Sequence, residues 1–396
     1  MLLSDGEEIT SLEDCPDGGH PWPCYRGGLT QTGRADTSLI ELEKDPLVRF
    51  GAPLSSPKTS RTRPTPGVAV TETTVFATAK DVYEPPLAVD RLDGDLLWRL
   101  DEVLENDVRE REFDRTPNPL VICNSVFLNT SWRLNRLHTR SGQVEWWKGD
   151  VARNSPPTGN QHEMYNADTV CRIDPETGSL RGCERFRERG IFEGLARGGR
   201  HAVVSVRTDG GHAGLVAGYD VDDWSVSWTR SLERPIWEAP AVHDGRAFVL
   251  TDASRDAISG AGGEAVAYDL ESGAERWRTE LPEARGCPAH DEDETLYFSH
   301  ERDVLVGIDD DDGSRVWSAD VDEDLEALVG DPAAVYPPIV ADDAVVLGGR
   351  DGLVVVDRAD GSLRWDADWT LQGAPAVAFG DVYAITDEAI VAVRGA

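Results

Sequence analysis

The chain has 396 residues, with 73 acidic residues against 39 Lys and Arg, and a formal net charge of −34. Such a surface repels nucleic-acid phosphates and anionic lipid, which excludes nucleic acid as a partner, and no apolar run approaches the ~20 residues of a membrane-spanning helix. Only Lys44, Lys58, Lys80 and Lys148 are lysines, and the acids are spread along the chain rather than grouped as ligands. This is the composition of a halophilic protein, where dense carboxylates keep the surface hydrated and salt screens their repulsion.

Residues 1–45 read as a partly irregular lead-in. The first eighteen are acidic, with no basic or apolar segment of a secretory signal. As written the chain is cytoplasmic; it is extracellular if its start is mis-assigned. Cys15, His20 and Cys24 have a zinc-like spacing but offer only three ligands, so no metal is assigned.

From residue 46 onward one pattern returns seven times. An Asp is followed four residues later by Gly, and four after that by Trp. The clean copies are Asp90–Gly94–Trp98, Asp269–Gly273–Trp277, Asp309–Gly313–Trp317 and Asp357–Gly361–Trp365. The copy His138–Gly142–Trp146 lacks the Asp, Asp174–Gly178–Gly182 lacks the Trp, and Asp220–Trp224–Trp228 lacks the Gly. A period of roughly 45 residues is that of a four-stranded propeller blade.

Each repeat has the same internal order. A Pro-containing segment such as Ala239-Pro240-Ala241-Val242 leads into a short apolar strand. A β-branched and aromatic run follows, as at 247–251, 295–299, 344–348 and 381–386. A third strand ends on the motif Asp, as at 264–269 and 353–357, and a fourth carries the Trp. Short alternating runs bounded by Gly, Asp and Pro are strand and hairpin signals. The longest helix-permissive stretch, 101–115, lies between repeats. The motif Asp can bond turn N–H groups, the Gly takes positive φ without steric cost, and the Trp packs one blade on the next. These residues therefore read as scaffold.

After Trp365 the chain makes three more strands and no fourth. An open edge is avoided in natural sheets, and Leu47-Val48-Arg49-Phe50 can supply the missing strand. The expected fold is all-β: one eight-bladed propeller of four-stranded antiparallel blades over residues 46–396, the last blade closed by the N-terminal strand.

The repeat resembles the PQQ-like propeller repeat, most closely at Tyr268-Asp269-Leu270-Glu271-Ser272-Gly273-Ala274-Glu275-Arg276-Trp277, and Trp22-Pro23-Cys24-Tyr25-Arg26-Gly27-Gly28 is similar to the lead-in of that superfamily. The resemblance implies one of two functions. Some members are dehydrogenases that bind pyrroloquinoline quinone and calcium. Others, such as the outer-membrane assembly lipoproteins, are non-catalytic interaction platforms. The chain has the size of the second kind and lacks the adjacent Cys-Cys pair of many alcohol-oxidising members. No calcium ligand or general base carries over onto it.

The residues add little chemistry of their own. His162-Glu163 and His300-Glu301 lack the following His of a metalloprotease helix, and the acidic runs at 309–312 and 320–324 lack the Gly and Glu of an EF-hand loop. Cys171 and Cys183 flank the turn at 175–178 and would lie nearly opposite each other in a hairpin. They are either a disulfide, which argues for an oxidising compartment, or two half-buried thiols. Residues just before each first strand crowd the channel mouth: Asn118, Trp237, Glu238, Arg285, Tyr336 and Gln372. They are candidate contacts for a planar or carboxylated ligand, or they simply line the channel. The expected function is a non-catalytic, monomeric scaffold for a protein or carbohydrate partner, with no cofactor. The alternative is a dehydrogenase of alcohols or sugars that uses pyrroloquinoline quinone and calcium.

Overall fold

The structure is a computed structural model. It describes residues 35, 39, 47–53, 67–78, 86–103, 119–130, 133–149, 157–159, 164–166, 169–185, 190–208, 210, 212–236, 238–251, 263–281, 284–291, 295–300, 304–319, 336–349 and 352–394.

Seven sheets are each built from four consecutive antiparallel strands. Blade 1 comprises Val68–Val70, Thr74–Ala77, Leu87–Asp90 and Leu96–Arg99, and blade 2 comprises Leu120–Ile122, Ser125–Asn129, Arg133–His138 and Val144–Gly149. Thr158–Gly159, Met164–Asn166, Thr169–Ile173 and Leu180–Arg185 form blade 3. Blade 4 follows with Ile191–Gly198, His201–Thr208, Ala213–Asp220 and Val226–Leu232. Blade 5 has Ala241–His243, Arg246–Thr251, Gly263–Asp269 and Glu275–Leu281. In blade 6 the strands are Ala284–His290, Thr295–His300, Val304–Asp309 and Arg315–Ala319. Ile339–Val340, Ala344–Gly348, Leu353–Asp357 and Leu363–Ala367 make blade 7. A single helical turn, Leu100–Val103, starts the stretch read as helix-permissive.

The remaining strands form a composite sheet. Ala376–Ala378, Asp381–Ile385 and Ala389–Arg394 are joined on the outside by Leu47–Pro53. Leu47 faces Arg394 and Pro53 faces Ala389, with a register shift between Val48 and Phe50.

The expectation of one eight-bladed ring is corrected here. Seven blades are made of consecutive strands, the other sheet is a composite of distant segments, and the chain divides into two compact units. The first unit holds blades 1–3 and the composite sheet; the second holds blades 4–7. Within the second unit part of the lead-in is stitched to blade 7. Ala35 N–H donates to the Val340 carbonyl at 2.8 Å, and Leu39 N–H to Asp343 Oδ1 at 2.6 Å. Both side chains are buried.

The motif turn has one construction in all seven copies. The N–H of the motif residue donates to the carbonyl five residues on, and the N–H four residues on donates back to the motif carbonyl, as in Asp269–Ala274 and Gly273–Asp269, both 2.8 Å. Closing the turn this way inserts a register shift between the third and fourth strands at the same place in every blade. The fourth residue after the motif position has positive φ throughout, from 59° at Trp224 to 78° at Gly94. Side chains reinforce the backbone. The Oδ1 of Asp269 accepts Ser272 N–H at 2.8 Å, and its Oδ2 pairs with Arg276. The Ser272 hydroxyl, which donates to the same Oδ1 at 2.6 Å, together with those bonds holds the Asp269 carboxyl down at about 2.

At four boundaries the Trp then ties one blade to the next. Trp98 Nε1 donates to the Thr139 carbonyl at 2.7 Å, Trp146 to Glu176 at 3.0 Å, Trp228 to Leu270 at 3.0 Å and Trp277 to Asp310 at 2.7 Å. Three of these carbonyls belong to the residue right after the next motif position; at Glu176 it is the second. The indole rests on the next blade's turn glycine. A Cβ at Gly178, Gly273 or Gly313 would come within 2.9, 2.3 and 2.7 Å of Trp146, Trp228 and Trp277. So this glycine serves twice: it permits the left-handed backbone, and it leaves room for the neighbouring ring. Beneath the indoles lie apolar clusters that cross the blade boundaries, such as Trp228 and Leu232 with Val242, Val249, Val266 and Tyr268. Burying a ring this completely is worth about 1.5–3 kcal/mol or more by area alone.

Candidate functional site

A cluster of ionisable groups with two fully buried members lies where blade 5 meets blade 6. His243 ends the first strand of blade 5, and Arg246 begins its second. His290 ends the first strand of blade 6, and Asp310 follows the motif Asp309. The blade packing described above brings these four together. His290 Nε2 lies 2.7 Å from Asp310 Oδ2, with both side chains buried. Arg246 Nη1 reaches Asp310 Oδ1 at 2.9 Å and Asp311 Oδ1 at 2.7 Å. The His243 ring stacks on His290 at 3.8 Å, and Phe248 covers His290 at 6.0 Å. Burial raises the Asp310 carboxyl to about 6, with Arg246 opposing the rise.

This arrangement holds a buried carboxylate with a guanidinium on one oxygen and an imidazole on the other. Asp309, Asp310 and Asp311 bring three carboxylates close enough for a cation. The Arg246 guanidinium already sits on two of them, and Asp309 Oδ1 accepts the N–H groups of Asp311 and Asp312. These three carboxylates therefore do not fit calcium, and no step is derived through a quinone–calcium pair at this place.

The six channel-mouth residues are only partly described. Asn118 and Trp237 lie outside the described residues, and of Arg285 only the backbone, in the strand Ala284–His290, is described. Glu238 is half-buried, and its carbonyl accepts Ser205 Oγ at 2.8 Å. Tyr336 is half-buried with its N–H on the Gly348 carbonyl, and burial pushes its hydroxyl well above the usual range. Gln372 N–H donates to the Ile385 carbonyl at 2.8 Å. Glu238 and Tyr336 belong to the second unit and Gln372 to the first. Cys15, His20 and Cys24 also lie outside the described residues.

Cys123 and Cys171 are disulfide-bonded, and both lie in the apolar cluster spanning blades 2 and 3. Cys171 faces Cys183 across the ladder in direct register, while the Cys183 side chain is outside the described residues.

Sequence reading missed the ionic cluster. Arg246 and Asp310 stand 64 residues apart, and neither belongs to the Asp–Gly–Trp pattern. It also missed a third turn position. Three residues after the motif, Asp93, Ser141, Thr177, Asp223, Ser272, Asp312 and Asp360 all accept the N–H two residues on. A shared side-chain oxygen, rather than a shared residue type, was the signal for it.

No curated protein matches the chain. Residues 212–395 match the family model described as outer membrane protein assembly factor BamB. Solved structures with the same fold include BamB from Moraxella catarrhalis, at 14% identity and a TM-score of 0.59, covering 88% of this chain and 99% of that one. The quinohemoprotein alcohol dehydrogenase of Comamonas testosteroni aligns at 12% identity and a TM-score of 0.67, covering 94% and 80%. A europium-containing methanol dehydrogenase aligns at 12% identity and a TM-score of 0.60, covering 94% and 90%. Four-stranded blades and seven turns of one construction give the chain a β-propeller fold, and its residues 212–395 are similar to the BamB family of propeller repeats.

Proposed function

We propose that the protein is a non-catalytic binding scaffold for a protein or carbohydrate partner. The observation that supports this reading best is the use made of the ionisable cluster between blades 5 and 6. Arg246, His290, Asp310 and Asp311 satisfy one another across a packed seam, so their chemistry is spent on holding blades together. The BamB family match favours the same reading, since that family's description is of an assembly factor. The proposed contacts are the channel-mouth residues Asn118, Trp237, Glu238, Arg285, Tyr336 and Gln372. The protein is read as a monomer that works in high salt. The disulfide-bonded Cys123 and Cys171 favour an oxidising compartment over the cytoplasm.

The second reading is a dehydrogenase of alcohols or sugars dependent on pyrroloquinoline quinone and calcium. The fold likeness to the quinohemoprotein alcohol dehydrogenase, at a TM-score of 0.67, favours it. One experiment separates the two. The purified protein is incubated in high salt with the quinone and Ca²⁺, desalted, and assayed for retained chromophore and for dye-linked oxidation of alcohols and sugars. The scaffold reading expects neither. A stoichiometric chromophore with turnover would replace it with the dehydrogenase.

A further inference from the structure

Two equivalent positions can be compared from one blade boundary to the next within a unit. One is the first residue of the second strand, contributed by the leading blade. The other is the residue after the motif position, contributed by the following blade. Between blades 1 and 2 these are Thr74 and Thr139, between 2 and 3 Ser125 and Pro175 in the usual strand order, and between 4 and 5 His201 and Leu270. Two other boundaries carry opposite charges there. At blades 5 and 6, Arg246 of the leading blade pairs with Asp310 of the following one at 2.9 Å. Where the composite sheet meets blade 1, Asp381 is in the leading position and Arg91 in the following one, 3.7 Å apart. The polarity is reversed at equivalent places. Other boundaries carry ion pairs at other positions: Arg140 with Asp90 at 3.5 Å between blades 1 and 2, Arg136 with Glu176 at 3.3 Å between blades 2 and 3, and Arg358, again the residue after the motif, 3.8 Å from buried Asp291 between blades 6 and 7.

In both reversed pairs the carboxylate is buried and held from two sides. Asp310 has His290 within its own blade and Arg246 across the seam. Asp381 has Arg394 and the Tyr383 hydroxyl within its own sheet and Arg91 across it. Each carboxylate is therefore kept in place by its own sheet and presented to one neighbour. A wrong neighbour would set Arg246 against Arg91, or Asp310 against Asp381. Burying like charges without a partner costs far more than exchanging one apolar blade face for another.

We infer that these charged seams are an address code: they set which blade follows which in a chain whose blades otherwise have interchangeable shapes. Identical blades face a sorting problem during folding, because every blade offers an apolar face that fits every other. The Trp-to-carbonyl bond cannot solve it, since it has the same form at the four seams where it is described. Opposite polarities at two seams can, because exchanging partners turns two attractions into two repulsions.

The test is refolding from denaturant in high salt, read as the fraction of monomer recovered on size exclusion, with the melting midpoint of that monomer as a second readout. The single reversals Arg246→Asp and Asp310→Arg should each lose at least about half of the recovered monomer; the double reversal, which gives both seams the same polarity, should raise the melting midpoint above that of the worse single reversal without restoring the yield. The uncharged pair Arg246→Met with Asp310→Asn should melt near the wild-type midpoint yet refold in lower yield, because sorting, not stability, is what it lacks. A double reversal that refolds with the wild-type yield overturns the inference. So does an uncharged pair that refolds with the wild-type yield.

Discussion

Blades 4 and 5 solve the same packing problem in different ways. In blade 5 the turn residue is Gly273, and the ring above it is Trp228 from the preceding blade, 5.9 Å from Tyr268 at an interplanar angle of 36°. In blade 4 the turn residue is itself a tryptophan. Trp224 holds a φ of 59° and sits 5.7 Å from Tyr219 at 37°. Tyr219 and Tyr268 occupy the same position, one residue before the motif Asp. An indole thus lies over the same tyrosine in nearly the same attitude, once from a neighbour and once from the blade itself. Blade 4 thus supplies for itself the ring cover that blade 5 takes from its neighbour.

The strongest way to break the comparison is Trp228→Ala. It removes a buried ring and the bond to the Leu270 carbonyl, and should cost about 3–5 kcal/mol in urea-induced unfolding. Gly273→Ala should follow at roughly 2–4 kcal/mol, since its Cβ would meet the Trp228 ring while the backbone stays left-handed. The opposite change in blade 4, Trp224→Gly, should cost only about 1 kcal/mol. It loses a half-buried ring, but relieves a left-handed non-glycine residue. Equal costs at Gly273→Ala and Trp224→Gly would mean that the two rings are not equivalent. The turn cap should be milder still: Ser272→Ala, which frees the Ala274 N–H, should cost about 0.5–1.5 kcal/mol.

A final comparison is between two acids. The Asp269 carboxyl is depressed to about 2, so its stabilisation is complete above the usual carboxylate range and fades as pH falls toward 2. The Asp310 carboxyl is raised to about 6, so its proton-linked stabilisation is complete below the usual range and is lost as pH rises through 6. Asp310→Asn should therefore flatten the melting midpoint between about pH 4 and 6, and Asp269→Asn should flatten it below about pH 4. Melting curves across pH 2–7 check both.

Much of the fold was legible because the turn imposes local rules. Gly94, Gly142, Gly178, Gly273, Gly313 and Gly361 satisfy a backbone constraint that no other common residue satisfies as cheaply, so they recur at fixed spacing. The strands expected at 344–348 and 353–357 appear as Ala344–Gly348 and Leu353–Asp357. Trp224 looked like damage to the pattern, because its ring covers Tyr219 of its own blade, a contact that the motif spacing does not mark. The seams were illegible for a different reason. Arg91 and Asp381, or Arg246 and Asp310, meet only through the packing of whole blades, and charge pairing has no period along the chain. The channel-mouth residues were chosen by position alone. Glu238, Tyr336 and Gln372 are described chiefly through backbone bonds, which say little about a ligand.

The composite sheet has a consequence for biosynthesis. Leu47 pairs with Arg394, about 350 residues away. At usual rates of translation those residues take on the order of 20–70 s to emerge. Throughout that interval the Leu-Val-Arg-Phe segment is an apolar strand with no partner, while the blades between its two halves can already form. The first of the described strands is thus among the last of them to be paired, and the nascent chain carries that segment unpaired for most of its synthesis.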